Sequence, residues 1–193
     1  DFGGGKMYCF AGRSASQMLS TVFVSKNGHV AVVDGGWLCD GPFLLEKLIE
    51  LGGKVDYWFI THAHNDHYGA LSDMMTKEDR FRRLEIRQLV FSFPSLEWLM
   101  KSKEGSENMR KFHADFHNRL ATVGKRIPRR RYVLGEKIEM DGIVFEVLND
   151  CVTDFIDNDP INGTTICLGV NMGNRRILVT GDVSTNEGHW LTD

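Results

Sequence analysis

Within Thr61-His62-Ala63-His64-Asn65-Asp66-His67, three imidazoles and one carboxylate fall inside six consecutive positions. Imidazole nitrogen and carboxylate oxygen are the donors that borderline divalent cations such as Zn²⁺, Mn²⁺ and Fe²⁺ accept. Four such groups this close cannot all enter a core unpaired, because buried charge must be paired or coordinated. A lone His, or an H-x-H pair, often serves only packing. The pattern H-x-H-x-D-H makes one or two bound divalent ions, zinc first and manganese or iron as alternatives, the cheapest explanation.

The elements that must position this cluster follow from its flanks. The run Val55-Asp56-Tyr57-Trp58-Phe59-Ile60 is rich in aromatic and β-branched residues and reads as a buried strand. The cluster therefore sits where a strand ends, the usual place for chemistry in α/β folds. Tyr68 to Met75 continues as a short helix.

Upstream, Lys6 to Gly12 reads as a strand and Ser14-Ala15-Ser16 as a connection. Thr21–Ser25 and His29–Val33 flank Lys26-Asn27-Gly28, and Asn-Gly between β-branched runs is a strong hairpin signal. The return strand ends in Asp34-Gly35-Gly36. Phe43, Leu44, Leu45, Leu48, Ile49 and Leu51 mark an amphipathic helix stopped by Gly52-Gly53.

Downstream, Leu84 to Phe93 reads as one strand ended by Pro94, and Ser95 to Val123 as helical, with Met109, Phe112, Phe116, Leu120 and Val123 on one face. His113 and His117 stand four apart beside that face, a spacing that serves packing as readily as ligation. Lys125 to Arg131 holds five basic residues in seven, either a solvated loop or an anion contact. A second hairpin turns at Asp141-Gly142. After a polar loop, 164–170 and 176–180 pair across 171–174, and the last strand runs into Gly181-Asp182.

The six positions from His62 to His67 resemble the signature loop of the metallo-β-lactamase superfamily. The resemblance implies an α/β (α+β) four-layer fold, the αβ/βα sandwich, with a metal site at the edge of its sheets. It makes His62 and His64 ligands of a first ion, and Asp66 and His67 ligands of a second. Gly69 matches the small residue of the following helix, and Asp34 a turn that supports the loop from below. Gly181-Asp182 resembles the later motif whose Asp bridges the two ions, so Asp182 joins the ligand set.

Two departures qualify it. Most members carry a further His on the first ion, and here no His ends a strand between the signature and Asp182; 91–93 and 159–163 stand near where it would be sought. Members also continue past Gly-Asp to a last His, whereas Ser184 to Asp193 reads as the start of a helix and His189 follows Asp182 too closely. The expectation is a single domain over residues 1–193, lacking its C-terminal part, with the second half of the sandwich incomplete. Asn162-Gly163-Thr164-Thr165 followed by Gly181-Asp182 loosely resembles the metallo-β-lactamase-like domain of bacterial DNA-uptake competence proteins.

Composition bounds the rest. At 193 residues, 42% hydrophobic and 25% charged, the chain has an ordinary globular make-up. A net charge of −3 gives no global pull toward nucleic acid or anionic membrane. No apolar stretch has the ~18 residues of a membrane span, so the chain reads as soluble. Cys9, Cys39, Cys151 and Cys167 are scattered, without a C-x-x-C pair, and fix no redox compartment. With no initial Met, the start looks processed, leaving the cytoplasm and export with a removed leader both open.

The implied activity is hydrolysis by a metal-bound hydroxide, since a bound ion lowers the pKa of its water from ~15.7 to about 7. Asp66 would orient that nucleophile as the catalytic residue. No Ser/His/Asp triad, P-loop or Rossmann glycine pattern competes. The basic stretches favour a small-molecule, phosphate-bearing or other anionic ester substrate, and nucleic acid falls in the same class. The rival is a metal-poor, non-catalytic binding module or fragment of a larger protein. An uncovered sheet edge would favour self-association in either case.

Overall fold

The computed structural model describes residues 3–12, 18–102, 106–153 and 160–183. The connection at Ser14 to Ser16, Asp159, and the segment from Ser184 to Asp193 with His189 lie outside the described residues.

Strands β1 (Gly5–Phe10), β2 (Ser20–Ser25) and β3 (Val30–Asp34) form an antiparallel meander. Gly28, at φ +83°, makes the turn between β2 and β3. Helix α1 (Gly41–Glu50) starts with Pro42 in its first turn, where the missing N–H costs nothing. It returns the chain to β4 (Lys54–Val55) and β5 (Tyr57–Ile60).

The run expected as one strand is thus divided at Asp56, whose carboxylate accepts from Val30 N at 3.1 Å and from Arg87 Nη1 at 2.8 Å. The strand expected over Leu84 to Phe93 is divided likewise, into β6 (Glu85–Ile86) and β7 (Leu89–Phe91). Strands β4 and β6 pair in a small parallel sheet, while β5 and β7 enter the main one.

The signature residues span a boundary. Helix α2 (Asn65–Met74) begins inside the motif, so Asp66 and His67 occupy its first turn and His62 to His64 the loop before it. A carboxylate there faces the positive end of the helix dipole. After α3 (Glu78–Phe81), the single helical pattern expected over Ser95 to Val123 resolves into α4 (Leu96–Lys101) and α5 (Glu107–Ala121). Each is capped by a serine: Ser95 Oγ accepts from Trp98 N at 3.1 Å and Ser106 Oγ from Met109 N at 3.2 Å. Two such caps make two helices of one apolar stripe.

Strand β8 (Arg129–Arg130) completes a six-stranded sheet ordered β1-β2-β3-β5-β7-β8. The second sheet is antiparallel: β9 (Lys137–Met140), β10 (Ile143–Val147), β11 (Leu168–Met172) and β12 (Arg175–Val179), in the order β12-β11-β10-β9. Asp141 and Gly142, at φ +47° and +80°, turn the β9–β10 hairpin as expected. Thr164 to Cys167 precede β11 instead of belonging to it, because Asn162–Thr164 is a 3-10 turn.

Alternate residues of β3 and β5 feed two cores, since successive strand side chains point to opposite faces. Val32, Trp58 and Ile60 join Leu44, Leu48, Tyr68, Leu71, Phe116 and Leu120 of the helices. Val33 and Phe59 join Phe145, Val147, Leu168 and Val170 of the second sheet. Helices, first sheet and second sheet therefore stack as three layers. A fourth layer outside the second sheet is not seen among the described residues.

Candidate metal centre

The site forms where β3, β5 and β12 end together. Asp34 closes β3 at φ +59°, fully buried. Its Oδ1 accepts from Thr61 N at 2.8 Å, and its Oδ2 accepts from Thr61 Oγ1 at 2.9 Å and lies 3.0 Å from His67 Nδ1. This is the supporting role the turn resemblance implied. With Asp34 on Nδ1, His67 is left with Nε2 as its free ligating atom.

Thr61, to which sequence reasoning gave no role, is the joint of the site. Besides its two bonds to Asp34, its carbonyl accepts from Ile166 N at 2.9 Å, tying the β5 loop to the segment that enters β11. Its Oγ1 also lies 3.0 Å from His62 Nδ1. Gly181, at φ +52°, packs on it: a Cβ there would stand 3.0 Å from Thr61 Oγ1 and 2.8 Å from Thr165 Cγ2. The missing side chain is what brings Asp182 to the loop. Gly69 does the same for α2, where a Cβ would stand 2.8 Å from Leu38 N.

The expected residues come together in two groups. His62 Nε2 and His64 Nδ1 meet at 2.9 Å. His67 Nε2 lies 3.4 Å from Asp182 Oδ2 and 3.7 Å from Asp66 Oδ2. Across the groups, ligand atoms of His62, His67 and Asp182 all lie within 4.8 Å of one another, the one such cluster among the described residues. His64 and Asp66 adjoin it through the contacts just given.

The electrostatics ask for a cation at this point. His67 Nε2 is buried and faces the carboxylates of Asp182 and Asp66 at 3.4 and 3.7 Å. Burial opposes charge on that ring, but the carboxylates of Asp34 and Asp182 outweigh it and raise His67 to about 10. His67 in turn lowers Asp182 against the effect of burial. His62 is held well below its ordinary value by burial, then by His67 and His64, and so offers a neutral lone pair. Two imidazoles and a carboxylate converge where the surrounding carboxylates already favour a positive charge, a donor set that fits a borderline divalent ion.

No His joins this cluster from the interval before Asp182. The side chain hydrogen-bonded to His62 there is the amide of Asn162, from the 3-10 turn. His113 and His117 sit elsewhere, with their Nε2 atoms 3.1 Å apart on α5. Cys167 is buried, and all four cysteines are free.

A three-layer stack with a His/Asp cluster at the strand ends defines the class, and the family model of the metallo-beta-lactamase superfamily matches residues 17–193. The chain belongs to that superfamily. Among solved structures it is similar to a putative metallo-beta-lactamase from Thermotoga maritima at 15% identity, covering 92% of this chain and 74% of that one, with a TM-score of 0.55. It is also similar to the Cronobacter sakazakii metallo-beta-lactamase with a HARLDQ motif at 11% identity, covering 95% and 65%, with a TM-score of 0.54. The metallo-beta-lactamase GOB-18 from Elizabethkingia meningoseptica gives 16%, 92%, 62% and 0.52. These likenesses speak to the fold alone, and this chain spans about six-tenths of the length of the Cronobacter structures. No curated protein matches it.

Proposed function

We propose that this chain is a metal-dependent hydrolase domain in which His62, His64, Asp66, His67 and Asp182 hold one or two divalent ions, zinc by preference. The observation that carries the reading is the convergence of His62, His67 and Asp182 on one point, with ligand atoms within 4.8 Å of one another. When bound, such an ion supplies Lewis acidity and acidifies a water molecule. The chain's own part is positional. Asp34 and Thr61 fix the ring of His67, His62 presents a neutral nitrogen, and Asp66 in the first turn of α2 orients the attacking water.

The substrate class that agrees best with the basic run Lys125 to Arg131 is a phosphodiester or other anionic ester. Nucleic acid falls within it, as the loose likeness to the competence-protein domain also suggests. Purified protein should hydrolyse bis-p-nitrophenyl phosphate and lose that activity in chelator. Activity unchanged by chelator contradicts the proposal.

One observation favours a second reading, a metal-poor binding module in the same superfamily. The group beside His62 is Asn162 where most members have an imidazole, and an amide is a weaker ligand for a borderline ion. Little or no metal retained after dialysis, with no turnover of ester, thioester or lactam substrates, would favour that module.

A further inference from the structure

A cavity of about 600 Å³, lined by none of the proposed metal ligands, lies between the ends of β7 and β8 and one face of α5. Its volume is in the range of small-molecule pockets, roughly 300–1,000 Å³. Phe91, Phe93 and Pro94 supply an apolar wall, and His113 and His117 the α5 side. Arg129, Arg130 and Arg131 supply the basic side, and no carboxylate lines the cavity among the described residues.

The sign of the ligand follows from which charges are already answered. Arg130 is paired with Glu136 at 2.8 Å. Arg129 and Arg131 are exposed and make no ion pair among the described residues. Two guanidiniums without an ion pair, beside a pocket that no acid lines among the described residues, select an anion, and guanidinium geometry suits a carboxylate or phosphate. The histidine pair could be read instead as half of a cation site. It lacks a third protein ligand among the described residues, and the arginines would repel the ion.

The shape of the ligand follows from the wall. The rings of Phe91 and Phe93 lie 4.9 Å apart at 66°, and His113 lies against Phe93 with centroids 5.3 Å apart. Flat π-surfaces of this kind favour a flat ring. His113 is only 3% exposed, its Nε2 is taken by His117, and its Nδ1 has no partner.

We propose that this cavity binds a small organic anion bearing an aromatic or heteroaromatic ring, the ring against Phe91 and Phe93 and the acidic group on Arg129 and Arg131. The site is independent of whether the His/Asp cluster is catalytic. The His113–His117 pair takes no part in the metal centre described above.

Calorimetric titration of the full chain with phenyl phosphate, benzoate, inorganic phosphate and benzyl alcohol tests it. The His64→Ala/Asp66→Ala variant, run in parallel, removes the metal cluster from the comparison. The expected result is one equivalent of phenyl phosphate or benzoate bound, tighter than inorganic phosphate or benzyl alcohol, and equally in wild type and that variant. The tighter of the two aryl anions identifies the acidic group. Arg129→Ala/Arg131→Ala should weaken binding about tenfold or more, the scale of charge-assisted hydrogen bonds. Ala114→Trp, which fills the cavity without changing charge, should abolish it. Unaltered melting temperatures keep misfolding apart from loss of the site. Undiminished binding in the arginine variant, aryl anions no tighter than inorganic phosphate, or binding lost only with the His64→Ala/Asp66→Ala change would each overturn the proposal.

Discussion

At the scale of single residues, the site depends on Asp34 and Thr61 as much as on the groups that could touch a metal. Asp34 takes two hydrogen bonds from Thr61 and one contact from His67 while fully buried. Asp34→Asn keeps the shape and tolerates the left-handed backbone, but removes the charge that holds His67. Changes to groups that orient metal-binding histidines typically lower affinity about 10- to 100-fold, and competition with a chelating dye should reveal a loss of that order. A second residue-scale prediction concerns His113, which burial first and His117 second depress from 6.5 to about 4. Between those values the unfolded chain takes up a proton that the folded one refuses. Stability is therefore full above about 6.5 and declines as pH falls toward about 4. Urea midpoints at about pH 7 and pH 5 should differ more for wild type than for His113→Phe; equal differences would contradict the assignment.

At the scale of elements, glycine decides whether β12 can deliver Asp182. Gly181→Ala adds a Cβ at φ +52° against Thr61 and Thr165, and strained backbone of this kind costs about 1–3 kcal/mol. Thermal melts should show the destabilisation together with weaker metal retention, and a fully stable, metal-replete variant would contradict the packing described. What was legible in the sequence divides along the same line. The β2–β3 and β9–β10 hairpins were readable because Asn27-Gly28 and Asp141-Gly142 encode their turns locally. The approach of His62 to His67 and Asp182 was readable only through resemblance, since the last lies over a hundred residues away. The division of β4 from β5 was hidden, because Asp56 is engaged by Val30 of β3 and by Arg87 from the break between β6 and β7. Thr61 was hidden for the same reason: its partners Asp34 and Ile166 are adjacent only after both sheets have packed.

At the scale of the whole molecule, the two sheets share one core and meet at one functional edge, while the far side of the second sheet is less covered. Among the described residues β12 pairs only with β11, and Leu178 on it is 52% exposed. An unpaired strand edge invites pairing with another copy, so we expect reversible association at micromolar concentration, read by light scattering and reduced by Leu178→Lys. A monodisperse monomer across that range would contradict this. The central claim, that the strand-end cluster is a metal centre, is tested most directly by plasma mass spectrometry of metal content after dialysis, on wild type and on His64→Ala/Asp66→Ala. The predicted result is about one or two equivalents of a divalent transition metal per chain, lost in the variant. Metal absent from both proteins, or retained equally by both, would contradict it.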